Sequence, residues 1–174
     1  MSSGGSRDRP LLTRGVIALV VVLGVGLAGC ASSGAVPKPF PEPPAPEAFA
    51  PVDGQVVADL ALDFRGTPYK PGGADPSGFD CSGLVQYVFA RQGLAVPRLV
   101  SEQFDAGRPV DRPAIAPGDL VFFRIDGRGV SHVGIAVGSG AFVHAPKANG
   151  IVRVESLDAP YWSARYAGAR RVGD

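Results

Sequence analysis

Residues 131–145 read SHVGIAVGSGAFVHA, two short runs of strand-forming residues on either side of Ser139 and Gly140. A Ser-Gly step between two apolar runs is a tight-turn signal, so the stretch reads as a β-hairpin over Ser131–Gly138 and Ala141–Ala145. Three similar runs surround it. PGDLVFF at Pro117–Phe123 opens on a turn dipeptide and continues in apolar residues, and IVRV at Ile151–Val154 and YAGARRV at Tyr166–Val172 follow the hairpin. About five strands joined by short loops imply an antiparallel sheet.

Upstream the period changes from that of a strand to that of a helix. Val56, Val57, Leu60, Ala61 and Phe64 recur at helical spacing and stop at Gly66 and Pro68. Leu84, Val85, Val88 and Phe89 share one face of a segment running from Cys81 to about Gln92, closed by Gly93. Between Pro97 and Pro117 the chain is polar and broken by proline, with one helical turn around Ser101–Phe104. Helices first and strands after define an α+β domain, a sheet with the N-terminal helices packed on one side.

The hairpin carries both histidines of the chain, His132 and His144. One starts a strand and the other ends the next, so both come to the same end of the sheet. Cys81 sits where the glycine- and proline-rich loop from Gly66 gives way to the second helix. A thiol at a helix start lies beside unpaired backbone N–H groups and the positive end of the helix dipole. These are expected to lower its pKa and make it a nucleophile. A cysteine nucleophile needs a base, and the base needs a third group to orient it. Cys81, His132 and His144 supply one candidate for each role. The same three side chains could instead offer zinc ligands, but the sequence has no CxxC or HxxxH pair, and a serine hydrolase lacks its GxSxG elbow.

The 174 residues suffice for one domain of ordinary size. The first 29 hold three Arg and one Asp; beyond them 14 basic residues face 15 acidic ones, so no nucleic-acid partner is implied. Arg7, Arg9 and Arg14 precede an apolar run, Gly15–Ala28, that ends in LAGC, Leu27–Cys30. That layout is a secretory signal, too short for the roughly 18 to 20 residues of a membrane span. From Ala31 to Pro51 the chain holds seven prolines and few large apolar side chains. It reads as an extended spacer reaching up to roughly 60 Å at about 3.1 Å per residue. Three parts follow: a signal over 1–29, Cys30 with a linker over 30–51, and a folded domain over 52–174. With Cys30 in the signal region, Cys81 is a free thiol in an exported protein.

The segments GTPYKPGG, FDCSGLVQYVF, PGDLVFF, SHVGIAVG and FVHAP, in this order over roughly Gln55–Val172, closely resemble the NlpC-type papain-like cysteine peptidases of bacterial cell walls. The resemblance implies a small papain-like fold and a Cys81, His132, His144 triad. Tyr69 would donate to the oxyanion, and Asp80, Ser82, Arg98, Ser101 and Gln103 would line the substrate cleft. Asp80 is expected to turn from the sulfur and receive an amine of the substrate. The implied substrate is the peptide stem of peptidoglycan, cut at a D-glutamyl-diaminopimelate or D-alanyl-diaminopimelate bond, with no metal or organic cofactor. A related amidase or acyltransferase, or an idle wall-binding protein, are the alternatives. LAGC resembles a lipobox, which implies lipidation of Cys30 and, as Ser32 is not Asp, an outer-membrane anchor facing the periplasm, or else the outer face of the cytoplasmic membrane. The protein is expected to be a monomer. Protonation of His144 is expected to give an acidic limb of activity near pH 6 to 7.

Overall fold

In the computed structural model, residues 51–147 and 150–173 are described; the expected signal over 1–29, Cys30 and the expected linker up to residue 50 lie outside them. The first helix, α1 (Gly54–Asp63), starts at Asp53, whose carboxylate accepts the Gln55 N–H at 2.8 Å. It buries Val57, Ala58 and Ala61. Val56, read from the sequence as part of that face, is 44 % exposed, because the close approach is made on the small Ala58 and Ala61. A two-residue ribbon, β1 (Ala74–Asp75) with β2 (Gly78–Phe79), lies within the glycine-rich loop and leads into α2 (Cys81–Arg91). Then come α3 (Val100–Ala106) and β3 (Arg108–Val110).

The remaining elements are β4 (Leu120–Phe123), β5 (His132–Gly138), β6 (Ala141–His144), β7 (Arg153–Ser156), α4 (Pro160–Ser163) and β8 (Tyr166–Arg171). They form, with β3, one antiparallel sheet of order β3-β8-β4-β5-β6-β7. Six strands replace the expected five. The sequence hid β3 because its middle residue is Pro109, tolerable at a sheet edge where no ladder N–H is required. The expected strand at Ile151 begins two residues later, Ile151 making only an isolated bridge to Pro68. Ser139 and Gly140 take φ of 51° and 69°, the two positive values that a type I′ hairpin turn needs.

Alternation along the strands gives the sheet two buried faces. Leu120, Phe122, Val133, Ile135 and Val143 pack on the helix side with Val57, Leu84, Val85 and Phe89. Val121, Phe123, Ala136 and Phe142 form a second core with Trp162 from α4. Helices therefore cover both faces, where one had been expected. Each large side chain so buried contributes about 1.5–3 kcal/mol, and the first core fixes α2, hence Cys81, against the start of β5.

Candidate active site

The start of α2 is held by its N-cap. Asp80 accepts the Gly83 N–H at 2.7 Å and the Gly72 N–H at 3.1 Å. A Cβ on Gly83 would lie 2.0 Å from the Gly73 oxygen, so the first turn of α2 presses directly on the glycine loop. That contact, together with the cap, orients the Cys81 thiol toward the start of β5. Burial pushes the thiol up, and the Asp80 charge adds to it; backbone hydrogen bonds from Val133, Ser82 and Cys81 itself lower it without prevailing. The lowered thiol pKa expected from a helix start is thus corrected: desolvation outweighs the helix end, and Cys81 rests as a thiol.

His132 and His144 meet across the hairpin, His132 Nε2 lying 2.7 Å from His144 Nδ1 with the rings at 89°. Gly134 makes room for this diagonal contact. A Cβ there would stand 2.5 Å from the Phe142 ring and 3.3 Å from the His144 Cβ. With Nε2 of His132 engaged, Nδ1 is the nitrogen left to take a proton from the thiol. That role requires the His132 proton on Nε2, donated to His144 Nδ1. The His144 proton then sits on Nε2, which is buried and has no hydrogen-bond partner among the described residues.

Trp162 closes the pair off from water. Its ring stacks on His132 at 5.6 Å and 23° and meets His144 edge-on at 4.9 Å. Both imidazoles are buried, His144 completely. Burial takes His132 down to about 4. Burial, then the charges of His132 and Arg153, take His144 to about 2. The limb expected at pH 6 to 7 is corrected accordingly, since desolvation favours the neutral rings.

The sign of the pH dependence follows. Both folded values lie below the unfolded 6.5, so between pH 6.5 and 4 the folded state binds fewer protons and stability falls as the pH drops. The loss approaches about 1.4 kcal/mol per pH unit for each ring. Urea melts are expected to show stability intact above pH 6.5 and reduced by a few kcal/mol, on the order of 3 from His132 alone, at pH 4. Equal stability at pH 7 and 4.5 would contradict the buried neutral pair.

The sequence reading missed Trp162, although it is the chain's one tryptophan and follows a proline that opens a helical turn. Trp162→Ala is expected to wet both rings and move the acid limb of kcat/KM up by a pH unit or more toward 6.5. A pH–rate profile unchanged in position would show that the indole has no such role.

Tyr69 and Cys81 line one cavity of about 740 Å³ with His132 and Trp162. The phenol is raised by burial, then by the Cys81 and Asp80 charges, and so remains a proton donor at neutral pH. Asp80, Ser82 and Arg98 form their own network beside it. Arg98 reaches Asp80 at 2.5 Å and 3.0 Å and the Ser82 hydroxyl at 2.7 Å. The Asp80 carboxylate is therefore committed to the cap and to Arg98, and a substrate amine would have to share it. Gln103 is corrected more firmly: it is wholly buried, its amide donating to the Ser82 and Pro97 carbonyls, and it braces the framework rather than lining a cleft. Ser101 is exposed on α3 and is not among the cavity-lining residues. Among the described residues no three His, Cys, Asp or Glu cluster as metal ligands would.

The NlpC/P60 family profile matches residues 66–171. The murein DD-endopeptidase MepS/murein LD-carboxypeptidase of Escherichia coli K12 is 44 % identical over 117 residues, covering 67 % of this chain and 61 % of that protein. The gamma-DL-glutamyl hydrolase of Bacillus subtilis is 35 % identical over 129 residues, 72 % of this chain and 31 % of its own length. The chain thus spans less than two thirds of either relative. The crystal structure of an NlpC/P60 family protein from Bacillus cereus superimposes with a TM-score of 0.68 at 34 % identity, over 72 % of this chain and 42 % of that one.

Proposed function

Because the chain belongs to the NlpC/P60 family, we propose that it is a peptidoglycan hydrolase that cuts an amide bond of the stem peptides by attack of Cys81. The Cys81 proton passes to His132 Nδ1 as the sulfur adds to the amide carbon. The oxyanion takes hydrogen bonds from the Tyr69 phenol and from backbone N–H groups at the start of α2, a contribution on the order of 10²–10³ in rate per donor. The C–N bond then breaks, and His132 returns the proton to the leaving amine. Water, deprotonated by His132, attacks the resulting thioester; its acyl group leaves as a carboxylic acid and the thiol is restored. His144 holds His132 in the required tautomer throughout.

One observation carries this reading: the 2.7 Å contact between His132 Nε2 and His144 Nδ1 leaves Nδ1 of His132 for a thiol on the same open cavity. Purified peptidoglycan treated with the protein is expected to release stem-peptide fragments whose masses show which bond was cut, D-glutamyl or D-alanyl to diaminopimelate. The Cys81→Ala protein is expected to release none. Amine-capped products would instead indicate an acyltransferase, and binding without release an idle site. The reading also includes a lipid anchor at Cys30, supported by Leu27–Cys30 after the apolar run, and an outer-membrane position facing the periplasm. Cells fed labelled palmitate are expected to label the protein and not its Cys30→Ser variant; equal labelling would remove the anchor.

A further inference from the structure

The cavity does not end at the imidazoles. On β7, Arg153 is the register partner of His144 and Glu155 that of Phe142, and both side chains line the cavity together with Lys147 and Tyr161. Arg153 donates through Nε to Glu155 Oε1 at 2.8 Å. Its two Nη atoms bond no other described residue. Half-exposed ion pairs of this kind contribute only about 0–1 kcal/mol to stability, so fold stability does not explain a guanidinium held in one orientation on a cavity wall. A guanidinium fixed through Nε presents its outer edge as a two-pronged donor, the geometry that matches a carboxylate. Lys147, exposed on the same cavity, adds a second cation. The cavity's other carboxylate, Asp126, accepts the Arg128 backbone N–H and is not bonded to either cation.

Direction follows from the proton path. His132 hands its proton to the leaving amine, and Arg153 lies beyond His144, the partner of that base. The part of the substrate that departs with the amine therefore extends toward Arg153. We infer that Arg153, oriented by Glu155 and assisted by Lys147, binds a free carboxylate on the residue that supplies the leaving amine, making Arg153 a specificity-determining residue. The inference rests on the proposed hydrolysis of stem peptides. Within the diaminopimelate stems proposed above, it adds a preference for an unblocked carboxylate on the leaving residue over the same stem with that group amidated.

Two synthetic stem peptides that differ only in this carboxylate or carboxamide test it. The wild-type protein is expected to favour the carboxylate peptide in kcat/KM by about 10- to 100-fold. Arg153→Gln is expected to bring the carboxylate peptide down to the level of the carboxamide, and Arg153→Lys to keep part of the preference. Equal cleavage of both peptides by the wild type, or an unchanged preference in Arg153→Gln, would overturn the inference while leaving the hydrolase reading intact. If neither peptide is cut, that reading fails, and calorimetric binding to the Cys81→Ala protein decides this one. About tenfold tighter binding of the carboxylate peptide, lost with Arg153→Gln, supports the subsite. Equal binding or none overturns it.

Discussion

His132→Ala is expected to lower kcat at pH 7 by on the order of 10³-fold or more while the protein stays folded. The size of the effect comes from the thiol. Burial and Asp80 raise Cys81 above its ordinary value of 9.0, so without a base less than about one thiol in a hundred is ionised at pH 7. The variant should recover activity as the pH climbs toward the thiol range, since hydroxide then does what the imidazole did. Steady-state rates from pH 6 to 10, with circular dichroism as the control for folding, make the comparison. A loss below tenfold at pH 7 would mean that the sulfur is ionised by something other than His132.

The second large effect is at His144. His144→Ala removes the acceptor of the 2.7 Å contact and leaves space beside Trp162, so His132 is free to turn, and kcat is expected to fall by about 10²-fold. His144→Asn keeps an acceptor oxygen and is expected to stay within about tenfold of the wild type. His144→Asp places a carboxylate against His132 and favours its charged form, so the acid limb should move up. In the wild type the buried, uncharged surroundings of the pair hold that limb low. An identical limb in the Asn and Asp proteins would show that another group titrates.

Much of this arrangement was legible in the amino-acid order, and for physical reasons. Periodicity gave α1 and α2 because their apolar stripes face the sheet, and the Ser139-Gly140 step gave the hairpin because a short polar residue followed by a glycine between two apolar runs marks a tight turn, with Gly140 free to take a positive φ. The hairpin in turn put His132 and His144 at one end of the sheet. What stayed hidden depends on three-dimensional surroundings. Pro109 masked β3, whose partner β8 comes some sixty residues later. The protonation balance of Cys81 could not be read from its place at a helix start, because burial against β5 outweighs the local helix end. Gln103 looked like a cleft residue but turns inward to two carbonyls. Trp162 and Arg153 lie outside the motif segments; the packing of α4 on the second sheet face brings Trp162 to the imidazoles, and the pairing of β7 with β6 brings Arg153 beside His144.

Acid-quenched mass spectrometry of the protein during turnover of a stem peptide looks directly at the covalent step. The expected result is an added mass equal to the acyl part of the substrate on the peptide that contains Cys81, absent from the Cys81→Ala protein. Continued hydrolysis by Cys81→Ala, or full turnover by the wild type with the acyl mass on another residue, would contradict attack by this sulfur.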